Sequence, residues 1–184
     1  MHAEGDADST AEITGHVAWP AAAALARRVA TDWSARPATS ALELGCGCGI
    51  GGLAAAALGA SRVEFSDRDA GVLRLARRGF EASDYANCRA TFEASSWGPP
   101  AADAEKFDLV FGSDLIYDSG VVAPLVATAA GRLAADGVFM LAQSFPLGDA
   151  STAALRDACA AARLELRLVF ELGEMRIWRI AGRQ

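Results

Sequence analysis

The sequence has few of the residues that membrane spans, metal centres and nucleic-acid interfaces require. No apolar run reaches the ~18 residues that a membrane-spanning helix needs, so we expect no membrane partner. Only two histidines, His2 and His16, occur in the 184 residues, and four cysteines without a spaced second pair predict no metal site. The formal net charge of −6 disfavours nucleic acid as a partner and favours a protein with a basic segment.

What is present indicates a globular protein. Hydrophobic residues make up 52% of the chain, which argues against disorder. The start, MHAEGDADSTAE, is polar and acidic, so we expect residues 1–13 to be flexible and residues 14–184 to form a single domain. This start is unlike a secretory signal, and the cysteine usage suits a reducing compartment. We therefore expect a cytoplasmic monomer.

The chain is organised around residues 41–67, ALELGCGCGIGGLAAAALGASRVEFSD. Ala41–Leu44 predicts a strand, glycines follow, residues 53–58 predict a helix, and residues 62–66 predict a second strand that ends at Asp67. This order is typical of units that hold an adenosine-bearing cofactor at the carboxyl ends of parallel strands. Glycine lets the backbone turn tightly beside a ligand, the helix start offers N–H groups, and Asp67 can accept hydrogen bonds from ribose hydroxyls.

The rest of the chain alternates helices and strands until its last segment. Residues 164–180 read as two strands around a tight turn at Gly173, and they must be antiparallel because no helix fits between them. The sequence therefore predicts an α/β fold with a doubly wound, seven-stranded, mostly parallel sheet that closes with an antiparallel β-hairpin. The other predicted helices lie at about 20–33, 69–82, 119–135 and 150–163, and the other strands at 89–92, 107–113 and 138–142.

Two kinds of adenosine cofactor suit a glycine loop of this type, a nicotinamide or flavin dinucleotide and S-adenosylmethionine. Glu43 would repel a pyrophosphate by about 1–4 kcal/mol at a distance of 4 Å, whereas a sulfonium and an ammonium tolerate a nearby acid. A dinucleotide pattern that begins at Gly45 also has Ile50 where its third glycine belongs. S-adenosylmethionine, with S-adenosylhomocysteine as its product, is therefore favoured, and a dinucleotide-dependent oxidoreductase is an alternative.

Four stretches carry a resemblance to a known family. The segment Glu43–Gly49 looks like the first motif of class I, seven-stranded, Rossmann-like methyltransferases. More narrowly, the chain resembles the methyltransferase-16 group of protein lysine methyltransferases over about residues 14–180. The departures, a short N-terminus and the Gln143-Ser144 pair after the fifth strand, concern the substrate pocket more than the cofactor pocket. The matching stretches are Gly15–Pro20 with its Trp-Pro, the glycine loop through Asp67, Ser96-Trp97-Gly98, and Asp114–Tyr117 with its Asp-x-x-Tyr.

The resemblance implies a cofactor site around the glycine loop. Trp97 is interpreted as an adenine contact or as a core aromatic, and Trp19 as a cofactor contact or as packing at a helix start. Asp69 is expected to cap the helix that follows it. The predicted cofactor-binding residues are Trp19, Glu43, Gly45, Cys46, Gly47, Gly49, Asp67, Arg68, Ser96, Trp97 and Ser113.

Asp114 and Tyr117 are the predicted catalytic residues. Asp114 follows a nearly all-apolar strand, at the edge where such folds place reactive groups, and Asp118 is better placed to cap the next helix. Tyr117 is either the wall of the acceptor pocket or an interior tyrosine. We expect Asp114 to accept a hydrogen bond from the incoming amine and Tyr117 to pack along its aliphatic stem.

The predicted function is S-adenosylmethionine-dependent methylation of a protein, with lysine as the implied acceptor. The resemblance also allows an arginine or histidine acceptor. A small-molecule methyltransferase and a non-catalytic binding module are also compatible with the sequence.

Overall fold

A seven-stranded sheet in the order β3-β2-β1-β4-β5-β7-β6 forms the centre of the protein. The computed structural model describes residues 17, 19–35 and 39–182, the side chains of residues 33–35 excepted. Strands β1 to β5 are parallel, whereas β7 pairs antiparallel with both β5 and β6, so the predicted fold is confirmed. The strands are β1 (Ser40–Leu44), β2 (Arg62–Asp67), β3 (Arg89–Ala94), β4 (Phe107–Ser113), β5 (Leu133–Gln143), β6 (Leu164–Leu172) and β7 (Met175–Gly182).

Helices cover both faces of the sheet and divide the core into two hydrophobic clusters. One cluster lies under α1, α2 and α3, and the other under α4 and α5. Leu25 and Val29 of α1 are buried, as their spacing predicts. No helix in the described ranges is long and apolar enough to cross a membrane. The helices are α1 (Pro20–Ala35), α2 (Ile50–Ala57), α3 (Ala70–Glu81), a 3-10 helix (Ser119–Val121), α4 (Val122–Arg132) and α5 (Asp149–Ala161).

Helix α2 is present as predicted, but it begins at Ile50, three residues before its predicted start at Leu53, so the predicted start was wrong. Gly51 and Gly52 form its first turn, although glycine has a poor helix propensity. The buried carboxyl group of Glu43 compensates, because its two oxygens accept the Gly51 N–H at 3.0 Å and the Gly52 N–H at 2.8 Å. A side chain of the preceding strand thus caps the helix and couples it to β1.

The predicted helix over residues 119–135 is also corrected. Helix α4 ends at Arg132, because Leu133 is already extended and pairs with Phe107 at the start of β4. The pairing is then interrupted and resumes at Val138, where the predicted strand begins. The prediction for residues 1–13 lies outside the described residues.

Candidate active site

A cavity of about 710 Å³ opens at the carboxyl ends of β1, β2 and β4. It lies where the strand order reverses between β1 and β4, which is where open α/β sheets bind ligands. Its volume is in the range of small-molecule sites. Every predicted site residue except Gly49 lines it: Trp19, Glu43, Gly45, Cys46, Gly47, Asp67, Arg68, Ser96, Trp97, Ser113, Asp114 and Tyr117.

Gly49 instead lies behind the cavity wall, at the start of α2. Its φ angle is +79°, and its amide donates a hydrogen bond to the Cys46 carbonyl oxygen at 2.7 Å. A Cβ added at this position would lie 2.9 Å from the Cβ of Ala76 in α3. Glycine is needed here for the turn and for helix packing.

Gly45 presents bare backbone to the cavity. Its φ angle is +56°, a conformation that side-chain-bearing residues rarely adopt. An added Cβ would lie 2.5 Å from Leu115 Cδ2 and 3.4 Å from Trp97 Cζ2. The absence of a side chain therefore leaves room between the glycine loop and Ser96-Trp97-Gly98, which we call the tryptophan loop.

The two thiols in the glycine loop, Cys46 and Cys48, differ in burial. Cys46 is buried, and burial raises the pKa of its thiol well above the ordinary range, so that the thiol stays protonated. Cys48 is half-buried and lines the cavity. Within the described ranges, no group of three His, Cys, Asp or Glu residues could hold a metal ion.

Asp67 ties the glycine loop to the end of β2. Its Oδ2 accepts the Gly47 N–H at 3.1 Å, and its Oδ1 accepts the Asp69 N–H at 3.0 Å. A carboxylate oxygen can accept more than one hydrogen bond, so both oxygens can also accept from a ligand. Asp69 caps α3 by accepting the Gly71 N–H at 2.6 Å, as predicted.

The tryptophan loop forms another wall and is fixed to α4. The Gly98 N–H donates to Thr128 Oγ1 at 2.8 Å, and the same hydroxyl donates to the Gly98 carbonyl at 2.9 Å. Trp97 lines the cavity and also packs against the core under α4. Its contact with adenine stays a prediction. Trp19 lies on the rim with 41% of its surface exposed.

Glu43 lies under the loop, buried, with both oxygens bonded to the first turn of α2. Burial raises its pKa from 4.5 to about 8, while the Gly52 and Gly51 amides act in the opposite direction. The carboxyl group therefore changes charge within the physiological pH range unless a cation lies nearby.

Relative to a Glu43→Gln variant, we expect the unliganded protein to lose stability as the pH rises from about 5 to 8. The folded-state pKa of Glu43 lies above its unfolded value of 4.5. Between these two pKa values the folded protein keeps a proton on Glu43 that the unfolded protein has released. The free energy of unfolding therefore falls as the pH rises through this interval. Urea unfolding of both proteins across this range measures the effect. A difference in unfolding free energy that does not change with pH would contradict it.

Asp114 is held in a strained turn at the end of β4. Its φ angle is +54°, and its amide donates to the Ala142 carbonyl at 2.9 Å. Its Oδ1 accepts two hydrogen bonds from Ser144, from the amide at 2.6 Å and from the hydroxyl at 2.9 Å. Its Oδ2 is shielded from solvent and makes no hydrogen bond to the described residues. Strain and an unpaired acceptor in one residue are typical of functional sites.

The electrostatic environment of Asp114 combines opposing effects. Burial raises the pKa of its carboxyl group, and the hydrogen bonds from Ser144 lower it. The backbone amide of Ala21 lowers this pKa too. Ala21 is in the first turn of α1, where amides have no partner within the helix and favour negative charge.

The neighbours of Asp114 complete the acceptor side of the cavity. Asp118 caps the 3-10 helix by accepting the Gly120 N–H at 2.6 Å, so Asp114 is not needed for that role. Tyr117 lines the cavity with 61% of its surface exposed, which excludes its interpretation as an interior tyrosine.

Several cavity residues were not predicted from the sequence. Phe145 follows β5, and Val121 and Pro124 come from the helical segment after Tyr117. The sequence does contain a signal for Ser144 and Phe145, namely their position directly after a predicted parallel strand. Residues after β5 lie at the same edge of the sheet as residues after β4.

These features fit an adenosine-bearing methyl donor. The glycine loop leaves space that a Cβ at Gly45 would fill, Asp67 offers acceptors at the end of β2, and a cationic ligand would favour the charged form of Glu43. Fold and site together have the features of class I methyltransferases, whose cofactor is S-adenosylmethionine.

The family match agrees with this classification. Residues 6–144 match the family model for lysine methyltransferases (methyltransferase 16), so the chain belongs to this family. One similar protein is the protein N-lysine methyltransferase METTL21A of Xenopus tropicalis, 33% identical over 103 residues. The match covers 55% of this chain and 47% of that protein, so the chain spans about half the length of this curated relative. The predicted family and cofactor are confirmed.

Solved structures of low sequence identity share the fold. Ribosomal protein L11 methylase from Lactobacillus delbrueckii subsp. bulgaricus is 19% identical with a TM-score of 0.70, over 89% of this chain and 79% of that one. Magnesium protoporphyrin IX methyltransferase (ChlM) from Synechocystis PCC 6803, solved with S-adenosylmethionine bound, is 18% identical with a TM-score of 0.68. That match covers 98% of this chain and 87% of the other.

Proposed function

We propose that this protein transfers the methyl group of S-adenosylmethionine to the ε-amine of a lysine in a protein substrate. The observation that carries the proposal is the Asp114 carboxylate, which Ser144 holds in a cavity that the exposed Tyr117 and the glycine loop also line. Membership of the lysine methyltransferase family supports it. The name of the METTL21A relative, an N-lysine methyltransferase, also supports it.

The donor side of the cavity would be held by residues around the glycine loop. S-adenosylmethionine supplies a methyl group on a positively charged sulfonium. Asp67 would accept hydrogen bonds from the ribose hydroxyls, and Trp97 would contact the adenine ring. Glu43, which lines the cavity below the loop, would favour the positive charges of the donor.

The acceptor side would bind and orient the amine. A lysine with a pKa near 10.4 is almost wholly protonated at neutral pH and must lose a proton before it can attack. A cavity shielded from water lowers that pKa. The Asp114 carboxylate would accept a hydrogen bond from the remaining N–H and aim the nitrogen lone pair, while Tyr117 would pack along the aliphatic stem. The released proton would pass to solvent.

The expected partner is a protein that presents its lysine in a basic segment. The chain carries a net charge of −6, and acidic groups line the cavity at Glu43, Asp67, Asp69 and Asp114. Charge complementarity would speed association with a basic segment and would disfavour nucleic acid. We infer that the enzyme acts as a monomer in the cytoplasm, a reducing compartment that suits four cysteines without a disulfide.

The test is incubation of the protein with methyl-labelled S-adenosylmethionine and a cell lysate, followed by mass-spectrometric mapping of labelled residues. We expect label on lysines of one or a few proteins, and the Asp114→Asn variant serves as the inactive control. Label confined to arginine or histidine would overturn the choice of acceptor. Label confined to small molecules would instead favour a small-molecule methyltransferase.

Self-labelling is easy to control in this assay. Lys106 is the only lysine in the chain, and it precedes β4 at the end opposite Asp114. Its Nζ also donates a hydrogen bond to the Gly131 carbonyl. The Lys106→Arg variant removes it, so label retained by that variant does not come from a lysine of the enzyme itself.

A further inference from the structure

The end of β5 holds the loop that carries the acceptor carboxylate. Strands β4 and β5 are adjacent and parallel, so residues after each strand meet at the same edge. The Asp114 amide continues the ladder by donating to the Ala142 carbonyl at 2.9 Å. The next two residues of the chain, Gln143 and Ser144, then contact the loop with their side chains.

Gln143 fixes the backbone of the loop. It is completely buried, and both ends of its amide are used. Its Oε1 accepts the Ile116 N–H at 3.2 Å, and its Nε2 donates to the Ile116 carbonyl at 3.2 Å. Because both groups of this buried amide pair with the backbone of Ile116, Gln143 holds the segment between Asp114 and Tyr117 as a neighbouring strand would.

Ser144 fixes the carboxylate itself. Its amide and its hydroxyl both donate to Oδ1 of Asp114, at 2.6 and 2.9 Å. Two donors on one oxygen define the rotation of the carboxylate, whose other oxygen is shielded from solvent. Because hydrogen bonds to a carboxylate favour its charged form, they oppose the burial that raises the pKa of Asp114.

We propose that Ser144, with Gln143 beside it, is a positioning residue that fixes the orientation of the Asp114 carboxylate on the acceptor side of the cavity. This inference rests on the proposed function, since it assigns Asp114 the role of amine acceptor. Ser144 does not contact the reacting atoms in this arrangement. It acts through Asp114, and Gln143 acts through the backbone of Ile116.

The kinetic test compares three substitutions at one position. Ser144→Ala and the nearly isosteric Ser144→Cys remove or weaken the hydroxyl donor, and we expect each to lower kcat about 10- to 100-fold. Affinity for S-adenosylhomocysteine and the melting temperature should stay near the wild-type values, because the donor side is untouched. Ser144→Thr keeps a hydroxyl and should restore kcat to near the wild-type value. Full activity in the alanine and cysteine variants, or equal loss in all three, would overturn the proposal.

A second readout needs neither cofactor nor turnover. In the unliganded protein, Asp114→Ala removes the acceptor of the Ser144 amide, whose hydrogen exchange should become at least about tenfold faster. The Ile116 amide should stay protected in this variant, because Gln143 still accepts its hydrogen bond. In Gln143→Met, by contrast, the Ile116 amide should exchange faster and the Ser144 amide should stay protected. Unchanged exchange at Ser144 in Asp114→Ala would overturn the positioning role. If the exchange behaves as expected but the wild-type protein methylates nothing, the proposed function is wrong, while the hydrogen bond between Ser144 and Asp114 is confirmed.

Discussion

Asp114→Asn is expected to lower kcat about 100- to 1,000-fold, while affinity for S-adenosylhomocysteine is nearly unchanged. The asparagine oxygen can replace Oδ1 and keep both hydrogen bonds from Ser144, so the turn after β4 should persist. In place of Oδ2, however, an amide nitrogen donates hydrogen bonds and cannot accept one from an amine. Single-turnover and steady-state methylation assays, with calorimetry for the product, measure the two quantities.

The matched control is Asp118→Asn. It removes the same charge four residues away, and asparagine caps helices as well as aspartate does. This variant should keep the wild-type kcat. If Asp114→Asn also turned over at the wild-type rate, Asp114 would not be the residue that receives the amine.

Asp67→Ala is expected to weaken the binding of S-adenosylhomocysteine about 100-fold. The substitution removes the acceptors proposed for the ribose hydroxyls. It also releases the Gly47 amide, which the carboxylate holds at 3.1 Å, and so loosens the glycine loop. Calorimetric titration of the purified variant measures the affinity, and its melting temperature shows whether the fold is retained.

Asp69→Asn provides the comparison for Asp67→Ala. Asp69 also lines the cavity, and its side chain caps α3 through the Gly71 amide. Asparagine preserves that cap while it removes a charge two residues from Asp67. We expect product affinity in this variant to stay near the wild-type value. Equal weakening in both variants would indicate a general electrostatic effect and no specific ribose contact.

The parts of the site that were predictable from sequence lie close together in the chain. Glu43, Gly45 and Asp67 flank one loop, and the strand–loop–helix–strand order places them at one edge without knowledge of other contacts. The closing hairpin was equally accessible, because no helix fits between its two strands. Asp114 and Tyr117 were recognised from their motif and from the apolar strand before them.

The parts that were not predictable depend on contacts between distant residues. The Ser144 hydroxyl meets Asp114 across 30 positions, and Gly98 meets Thr128 across the same separation. The early start of α2 has the same origin, since Glu43 supplies from a strand the cap that the glycine-rich turn lacks. Local propensity contains no information about a partner that only the folded sheet brings near.

The most direct test of the account is calorimetric titration of the wild-type protein with S-adenosylhomocysteine and, separately, with NADH. The account predicts saturable binding of one S-adenosylhomocysteine per chain, with no measurable binding of NADH. Absence of S-adenosylhomocysteine binding, or its displacement by NADH, would contradict the assignment of the glycine-loop cavity to a methyl donor.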